Sequence, residues 1–263
     1  MDVLTPRSLD EALRLKAERP EALPIQGGTD VMVELNFDRG RPPALLNLNE
    51  VPELRGWSRE NGTLRLGSAL TYTEAMQEPL AEPLRALAEA SRTVGGPQIR
   101  NRGTIGGNLG TASPAGDALP PLLVYGAEVE VASAQGSRTL SLTEFLVGPK
   151  RNALASDELI VAVRVGAQGA PQTFMKVGPR NAMVIAVVSL ALCVDEERGE
   201  VHASFGSAGP VPGLVTAPMD ERDGLAERVA AAASPIDDVR GTATYRRHVL
   251  RVLTERALER CLA

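Results

Sequence analysis

Six of the sixteen residues from 95 to 110 are glycine: Gly95, Gly96, Gly103, Gly106, Gly107 and Gly110. Each glycine costs regular structure roughly 0.5–1 kcal/mol relative to alanine, so a run this dense marks backbone that approaches something a Cβ would block. A second, shorter cluster, Gly27-Gly28-Thr29-Asp30, follows Leu23-Pro24-Ile25-Gln26, which reads as a short strand, and precedes helical spacing that begins at Val31. Both turns set bare backbone beside hydroxyl or amide side chains, Thr29 in the first and Thr104 and Asn108 in the second. Successive N–H groups without a neighbouring Cβ form an anion-binding concavity, and a helix N-terminus adds a favourable dipole. Taken singly, such a turn is also how a chain makes a tight bend; the two together suit two adjacent phosphates.

Other chemistries are excluded by what is missing. The sequence holds no Gly-x-Gly, no Gly-Lys-Ser/Thr and no Gly-x-Ser-x-Gly, which removes the Rossmann fingerprint, the Walker A loop and the nucleophile elbow. Two histidines, His202 and His248, lie in unrelated segments and read as surface or structural residues. Cys193 and Cys261 have no partner motif, so neither a disulfide framework nor a cysteine-bound metal or iron–sulfur site can be built from them, and a reducing, cytoplasmic compartment is expected. A formal net charge of −5 and 43% apolar residues argue against disorder and against a nucleic-acid-coating role. The longest uncharged apolar stretch, 182–194, is 13 residues, whereas a membrane span needs about 20.

Local patterns organise the 263-residue chain into an α+β protein. Ser8 and Glu11 form a capping box for a helix over 9–19. Strands are expected at 44–48, and at 54–57 and 63–66 around the hairpin dipeptide Asn61-Gly62. Thr71 or Thr73 caps a short helix, and Pro83 opens a longer one through Ser91. Strands follow at 128–132, 138–142 and 159–165, and the Gly/Ala/Gln/Pro stretch 166–172 suggests a domain boundary near Gly169. The remainder offers strands at 173–177, 184–194 and 200–206, a Pro/Gly-rich loop and two helices. The last helix, about 244–262, places Leu250, Leu253, Ala257 and Cys261 on one face, with Arg247, Arg251 and Arg256 outside it.

Three segments carry a resemblance: Gly27-Gly28-Thr29-Asp30, then Gln98-Ile99-Arg100-Asn101-x-Gly-Thr-Ile-Gly-Gly-Asn, then Ala112-Ser113-Pro114-Ala115-Gly116-Asp117. Together they resemble the FAD-binding medium subunit of molybdenum hydroxylases. That family includes the flavin subunits or domains of xanthine dehydrogenase, carbon monoxide dehydrogenase and aldehyde oxidoreductases, with the flavin fold of p-cresol methylhydroxylase (PCMH) and vanillyl-alcohol oxidase. Phe174-Met175-Lys176 followed by Arg180, the loop Ser207–Pro212, and Asp238-Val239-Arg240-Gly241-Thr242-Ala243-Thr244 extend the likeness over nearly the whole chain, the last segment being most similar to bacterial xanthine dehydrogenases.

The resemblance implies a two-lobed PCMH-type FAD-binding domain over 1–169, with lobes of about 1–55 and 56–169, followed by a small α+β domain over 172–263. It implies a first pyrophosphate loop of Pro24, Ile25, Gln26, Gly27, Gly28, Thr29, Asp30 and Val31. The second loop would be Thr104, Ile105, Gly106, Gly107 and Asn108, both loops donating backbone N–H groups to FAD. Thr111, Ser113 and Asp117 would face the ribityl or ribose side, and Ile160 an apolar contact. Lys176 would stand beside the flavin, where an ammonium stabilises negative charge on the reduced ring; an exposed sheet lysine is the alternative reading. Val94 stands where xanthine oxidoreductases are aromatic, Gln26 where alanine is usual, and Val184 where many members carry aspartate. No catalytic side chain and no metal ligand is implied on this chain. Molybdopterin and [2Fe-2S] clusters would sit on a large and a small partner subunit, in a heterotrimer or its dimer, with NAD+ as one possible acceptor and no nucleic acid or membrane span involved. A stand-alone flavin oxidase of the same fold and a cofactor-free scaffold subunit are the competing readings.

Overall fold

A computed structural model describes residues 1–166 and 169–263. β1 (Asp2–Leu4) runs toward Ser8, whose side chain accepts from the Glu11 N–H and opens α1 (Leu9–Glu18), while the Glu11 carboxylate accepts from the Arg7 N–H at 2.8 Å. β2 (Leu23–Ile25) and α2 (Val31–Asn36) flank the first glycine turn. β3 (Ala44–Asn47) lies between β1 and β2 in a parallel three-stranded sheet.

An antiparallel five-stranded sheet comes next. β4 (Trp57–Glu60) and β5 (Thr63–Gly67) are joined through Asn61 and Gly62, whose φ values of 49° and 78° are those a two-residue I′ turn demands. The first strand starts later than the expected 54–57, because Pro52–Leu54 forms a 3-10 turn that buries Leu54 and the chain then swings through Gly56 at φ 68°. Helices fill the crossover: α3 (Tyr72–Ala75), capped by Thr71; α4 (Arg85–Thr93), which begins beyond Pro83; α5 (Pro97–Arg100); α6 (Ile105–Thr111); and α7 (Leu119–Val124). β6 (Glu128–Ser133), β7 (Gly136–Ser141), α8 (Leu142–Phe145), β8 (Leu146–Gly148), β9 (Arg151–Asn152) and β10 (Leu159–Gly166) complete this part, in sheet order β4-β5-β10-β6-β7. β10 is central and apolar on both faces. A bulge between Ile160 and Ala162 shifts its alternation, so Ile160 and Val163 face the large core with α6 and α7 while Leu159 and Val161 face the core under α1.

The third sheet is antiparallel, in the order β11 (Gln172–Val177), β12 (Val188–Asp195), β13 (Glu200–Gly206) and β14 (Gly213–Pro218). β14 occupies the segment expected to be loop. Residues 184–187, expected as strand, are not part of β12: Met183 sits at φ 51°, and its carbonyl and that of Ala182 accept from the Arg180 guanidinium, which holds a turn there. The linker expected over 166–172 lies partly outside the described residues. α9 (Leu225–Ala232) and α10 (Ala243–Leu262) cover one face of the sheet. On the other face, Phe174, Ala191 and Cys193 join the core of the five-stranded sheet.

Two buried polar nodes fix β11 against α4. The Gln172 amide accepts from the Ala86 N–H at 3.0 Å and from the Tyr125 hydroxyl, and donates to the Pro83 carbonyl. The Glu89 carboxylate accepts from Thr173 Oγ1 and the Phe174 N–H, and pairs with Arg260 of α10 at 2.9 Å. Among the described residues no helix is long and apolar enough to cross a membrane, and no group of His, Cys, Asp or Glu side chains could hold a metal ion.

Arg246 is a finding periodicity does not give. Its side chain is fully buried at 1% exposure, donating to the Ser207 carbonyl and to Asp238. Partial desolvation pushes the Asp238 carboxyl up, but the Arg240 and Arg246 guanidinium groups outweigh it and hold the carboxyl well below the usual range. The segment 238–246 is therefore tied down by charge. Arg246→Met leaves the Ser207 carbonyl without its donor and is expected to cost about 3 kcal/mol, read as a lowered denaturation midpoint with an unchanged slope.

Candidate functional site

The two glycine turns meet backbone to backbone. A Cβ on Gly27 would collide with the Arg102 carbonyl, so only glycine allows the loop after β2 to lie against the loop before α6. Side chains complete the seam. Asn49 Nδ2 donates to the Gln26 carbonyl at 2.8 Å, Arg102 reaches Asn49 Oδ1 at 3.3 Å, and Thr111 Oγ1 donates to Asp30 Oδ2 at 2.8 Å. Gly106 is equally constrained, since a Cβ there would stand 2.6 Å from the Ser68 carbonyl oxygen, whereas Gly107 is exposed and its missing Cβ would meet only Thr104 Oγ1, at 3.1 Å.

The turns differ in the donors they leave over. Among the described residues the N–H groups of Gly27, Gly28, Thr29 and Asp30 form no backbone or side-chain hydrogen bond, and α2 begins directly after them. In the second turn Ile105 N–H donates to the Leu70 carbonyl, Gly106 N–H to the Ser68 carbonyl, Gly107 N–H to Thr104 Oγ1 and Asn108 N–H to the Thr104 carbonyl, all within 2.8–3.0 Å. The expectation that both turns present free backbone donors is corrected to that extent: Thr104 caps α6 and the α6 N-terminus is pinned to the 68–70 loop, so the second turn offers a side-chain-free surface and the Asn108 amide.

Acceptors without partners lie close by. Asn108 Oδ1, Asp117 Oδ1 and Gln26 Oε1 are buried and make no hydrogen bond among the described residues. Asn108 and the Asp117 loop are in contact, for a Cβ on Gly116 would stand 2.8 Å from Asn108 Nδ2. The other oxygen of Asp117 is bonded to Lys176 Nζ at 2.5 Å, with side-chain exposures of 8% and 6%. Lys176 is thus no exposed sheet lysine; its side chain runs from β11 to Asp117 and also reaches the Thr93 carbonyl at 3.3 Å. Burial pushes the Asp117 carboxyl up, and the Lys176 ammonium pulls it back only in part. The Tyr72 phenol beneath is raised by burial and by the charges of Asp117 and Asp30.

Of the remaining residues picked out by sequence, Pro24 and Ile25 belong to β2, in register with Leu46 and Asn47. Thr29 and Val31 bracket Asp30 at the start of α2, and Val94 caps the C-terminus of α4. The Ser113 hydroxyl accepts from the Ala115 N–H of its own turn. Ile160 is a core residue packed beneath α6 near Gly110, so its side chain lies behind the turn. Sequence reasoning missed Asn49 and Thr93, because each acts through a partner 23 or more residues away and neither stands in a local motif.

Residues 1–167 match the family model described as the FAD binding domain in molybdopterin dehydrogenase. The chain is 30% identical over 274 residues to the xanthine dehydrogenase FAD-binding subunit of Escherichia coli O157:H7, covering 97% of this chain and 94% of that protein. It is 34% identical over 205 residues to the nicotinate dehydrogenase FAD-subunit of Eubacterium barkeri, covering 74% of this chain and 69% of that one. The solved structure of reconstituted CO dehydrogenase from Oligotropha carboxidovorans superposes with a TM-score of 0.93 at 24% identity, covering 99% of this chain and 97% of the other, which shows the same PCMH-type fold. The chain belongs to the molybdopterin dehydrogenase FAD-binding family and is an FAD-binding medium subunit of a multi-subunit oxidoreductase.

Proposed function

We propose that Gly27–Asp30 and the bare face of Gly107 hold the pyrophosphate of FAD, that Asn108 and Asp117 accept from its ribityl or ribose hydroxyls, and that Val94 and Lys176 stand at the ring. The observation that carries this reading is the run of four unpaired N–H groups in the first turn. Donors left unspent in a folded chain are costly unless water or a ligand takes them, and an anion at a helix N-terminus is the partner they suit. The orphaned Asn108 Oδ1 and Asp117 Oδ1 match hydroxyl donors, so the residues fit the group. The ammonium of Lys176 supplies positive charge in a desolvated position, and the Asp117 carboxylate holds it there.

When bound, FAD supplies the redox chemistry, taking up electrons from one partner and giving them to another. On this reading the chain itself contributes binding and orientation, with residues 1–169 as the FAD-binding part, in lobes of about 1–55 and 56–169, and 172–263 as a second domain. Electrons would come from [2Fe-2S] clusters of a small subunit, molybdopterin would sit on a large one, the three would assemble as a heterotrimer or its dimer in the cytoplasm, and the acceptor would be NAD+ or a similar carrier. A purine is the substrate class favoured, on the likeness to the xanthine dehydrogenase subunit.

The purified chain is expected to carry about one FAD, seen as two visible flavin bands released by heat; a colourless chain that takes up no added FAD would favour a scaffold role. Gly107→Val puts two methyls on the open face and is expected to abolish FAD retention while far-ultraviolet circular dichroism stays unchanged. Asp117→Ala removes the orphan acceptor and is expected to weaken FAD binding about tenfold or more. Lys176→Met is expected to lower the midpoint potential of the bound flavin; an unchanged potential would show that the ammonium serves Asp117 alone.

A further inference from the structure

The segment Gln98-Ile99-Arg100-Asn101 lies between the two halves of the glycine-rich run, and neither turn uses Arg100. α4 ends at Thr93, and the last carbonyls of any helix lack intrahelical donors. Here they are taken up by two cations. Arg100 Nη1 stands 3.4 Å from the Arg92 carbonyl, 3.2 Å from that of Val94 and 2.9 Å from that of Gly95. Lys176 Nζ takes the one between, Thr93, at 3.3 Å. Four consecutive carbonyls at the negative end of α4 therefore face either Arg100 or Lys176.

The backbone is shaped to allow this. Gly95 sits at φ 45°, and a Cβ there would stand 2.8 Å from Ile99 Cβ, so the chain doubles back and the single turn of α5 brings Arg100 under the end of α4. Three acceptors exceed the two protons of one guanidinium nitrogen. The turn is consequently held by the charge as a whole more than by any one bond. A planar guanidinium spreads its charge over such a fan, whereas an ammonium is a compact point charge on a more flexible stem.

We propose that Arg100 is a positioning residue for the flavin ring: by clamping the Arg92–Gly95 carbonyls it sets the place of Val94 and, through the neighbouring Thr93 carbonyl, that of the Lys176–Asp117 pair. This rests on the reading of Val94 and Lys176 as ring-side residues. Arg100 touches none of the Gly27–Asp30 or Thr104–Asn108 groups, although α5 runs on into Arg102, on whose carbonyl Gly27 packs, so the direct effect of Arg100 falls on the ring half of the dinucleotide before the ADP half.

The test titrates the full-length, flavin-stripped chain with FAD and, separately, with ADP, and records the visible circular dichroism of the bound flavin. Arg100→Met is expected to bind FAD about tenfold more weakly, with an altered visible spectrum, and ADP within about twofold of the unsubstituted chain. Arg100→Lys keeps a charge near the carbonyls and is expected to fold normally, bind ADP unchanged and recover part of the FAD affinity. Equal losses for FAD and ADP in Arg100→Lys, or no change in either variant, would overturn the proposal. An unsubstituted chain that binds ADP but not FAD would overturn the ring-side reading as well, and one that binds neither would overturn the functional reading from which both follow.

Discussion

Everything at the site depends on two stretches of main chain being able to touch. Gly27 lies so close to the Arg102 carbonyl that any Cβ would be driven into it, and a Cβ on Gly106 would stand 2.5 Å from that of Ser68. Interiors packed at crystal-like density do not absorb an extra carbon at such points without moving backbone. The glycines of this chain therefore serve two separate ends. Gly27 and Gly106 bring loops together, and Gly107 is exposed, its Cβ position crowded only by Thr104 Oγ1 at 3.1 Å.

Once the loops touch, the accounting of hydrogen bonds divides the labour between them. The second turn uses its N–H groups to tie α6 to Leu70, Ser68 and Thr104, which makes it rigid and spends its donors. Among the described residues the first turn spends none of its four, which stand unpaired just before α2. Pre-paying the order of one loop so that the other can present unpaired donors is the arrangement a tight dinucleotide site needs, since ordering on binding costs affinity.

The third component comes from another sheet. β11 is fixed to α4 by Gln172 and Glu89, and that docking delivers Lys176 to Asp117 across 59 residues of sequence. A buried ion pair is weak evidence for stability, and here one carboxylate oxygen is left without a partner. The pair is better understood as a charged fixture held ready for a polar ligand than as a fold-stabilising contact. Arg246 and Asp238 serve a different end: Asp238 accepts from both Arg240 and Arg246, and Arg246 also donates to the Ser207 carbonyl, so together they lock a segment in place, although Arg246 Nε is left without a partner among the described residues.

Much was legible in the sequence because it is local. The Ser8 and Thr71 caps, the Asn61-Gly62 hairpin, the two glycine turns and the apolar run of β10 depend on neighbours within a few residues, and the family resemblance rests on such motifs. Where the readings failed, the cause was contact at a distance. Residues 184–187 have strand composition but follow a bend over 181–183 that Arg180 holds, β14 hides in a Pro/Gly-rich stretch because its ladder partner is β13, and Arg246 looks like any helix-surface arginine until Ser207 and Asp238 close over it. The sequence alone determined that two glycine-rich turns with hydroxyl or amide neighbours exist, and that the Rossmann, Walker A and nucleophile-elbow motifs do not occur in it. Only the tertiary structure decided which turn keeps its donors, that Lys176 is buried against Asp117, and that Arg100 lies under the end of α4, because hydrogen-bond satisfaction and desolvation are set by what the folded chain brings near, not by what stands beside a residue in sequence.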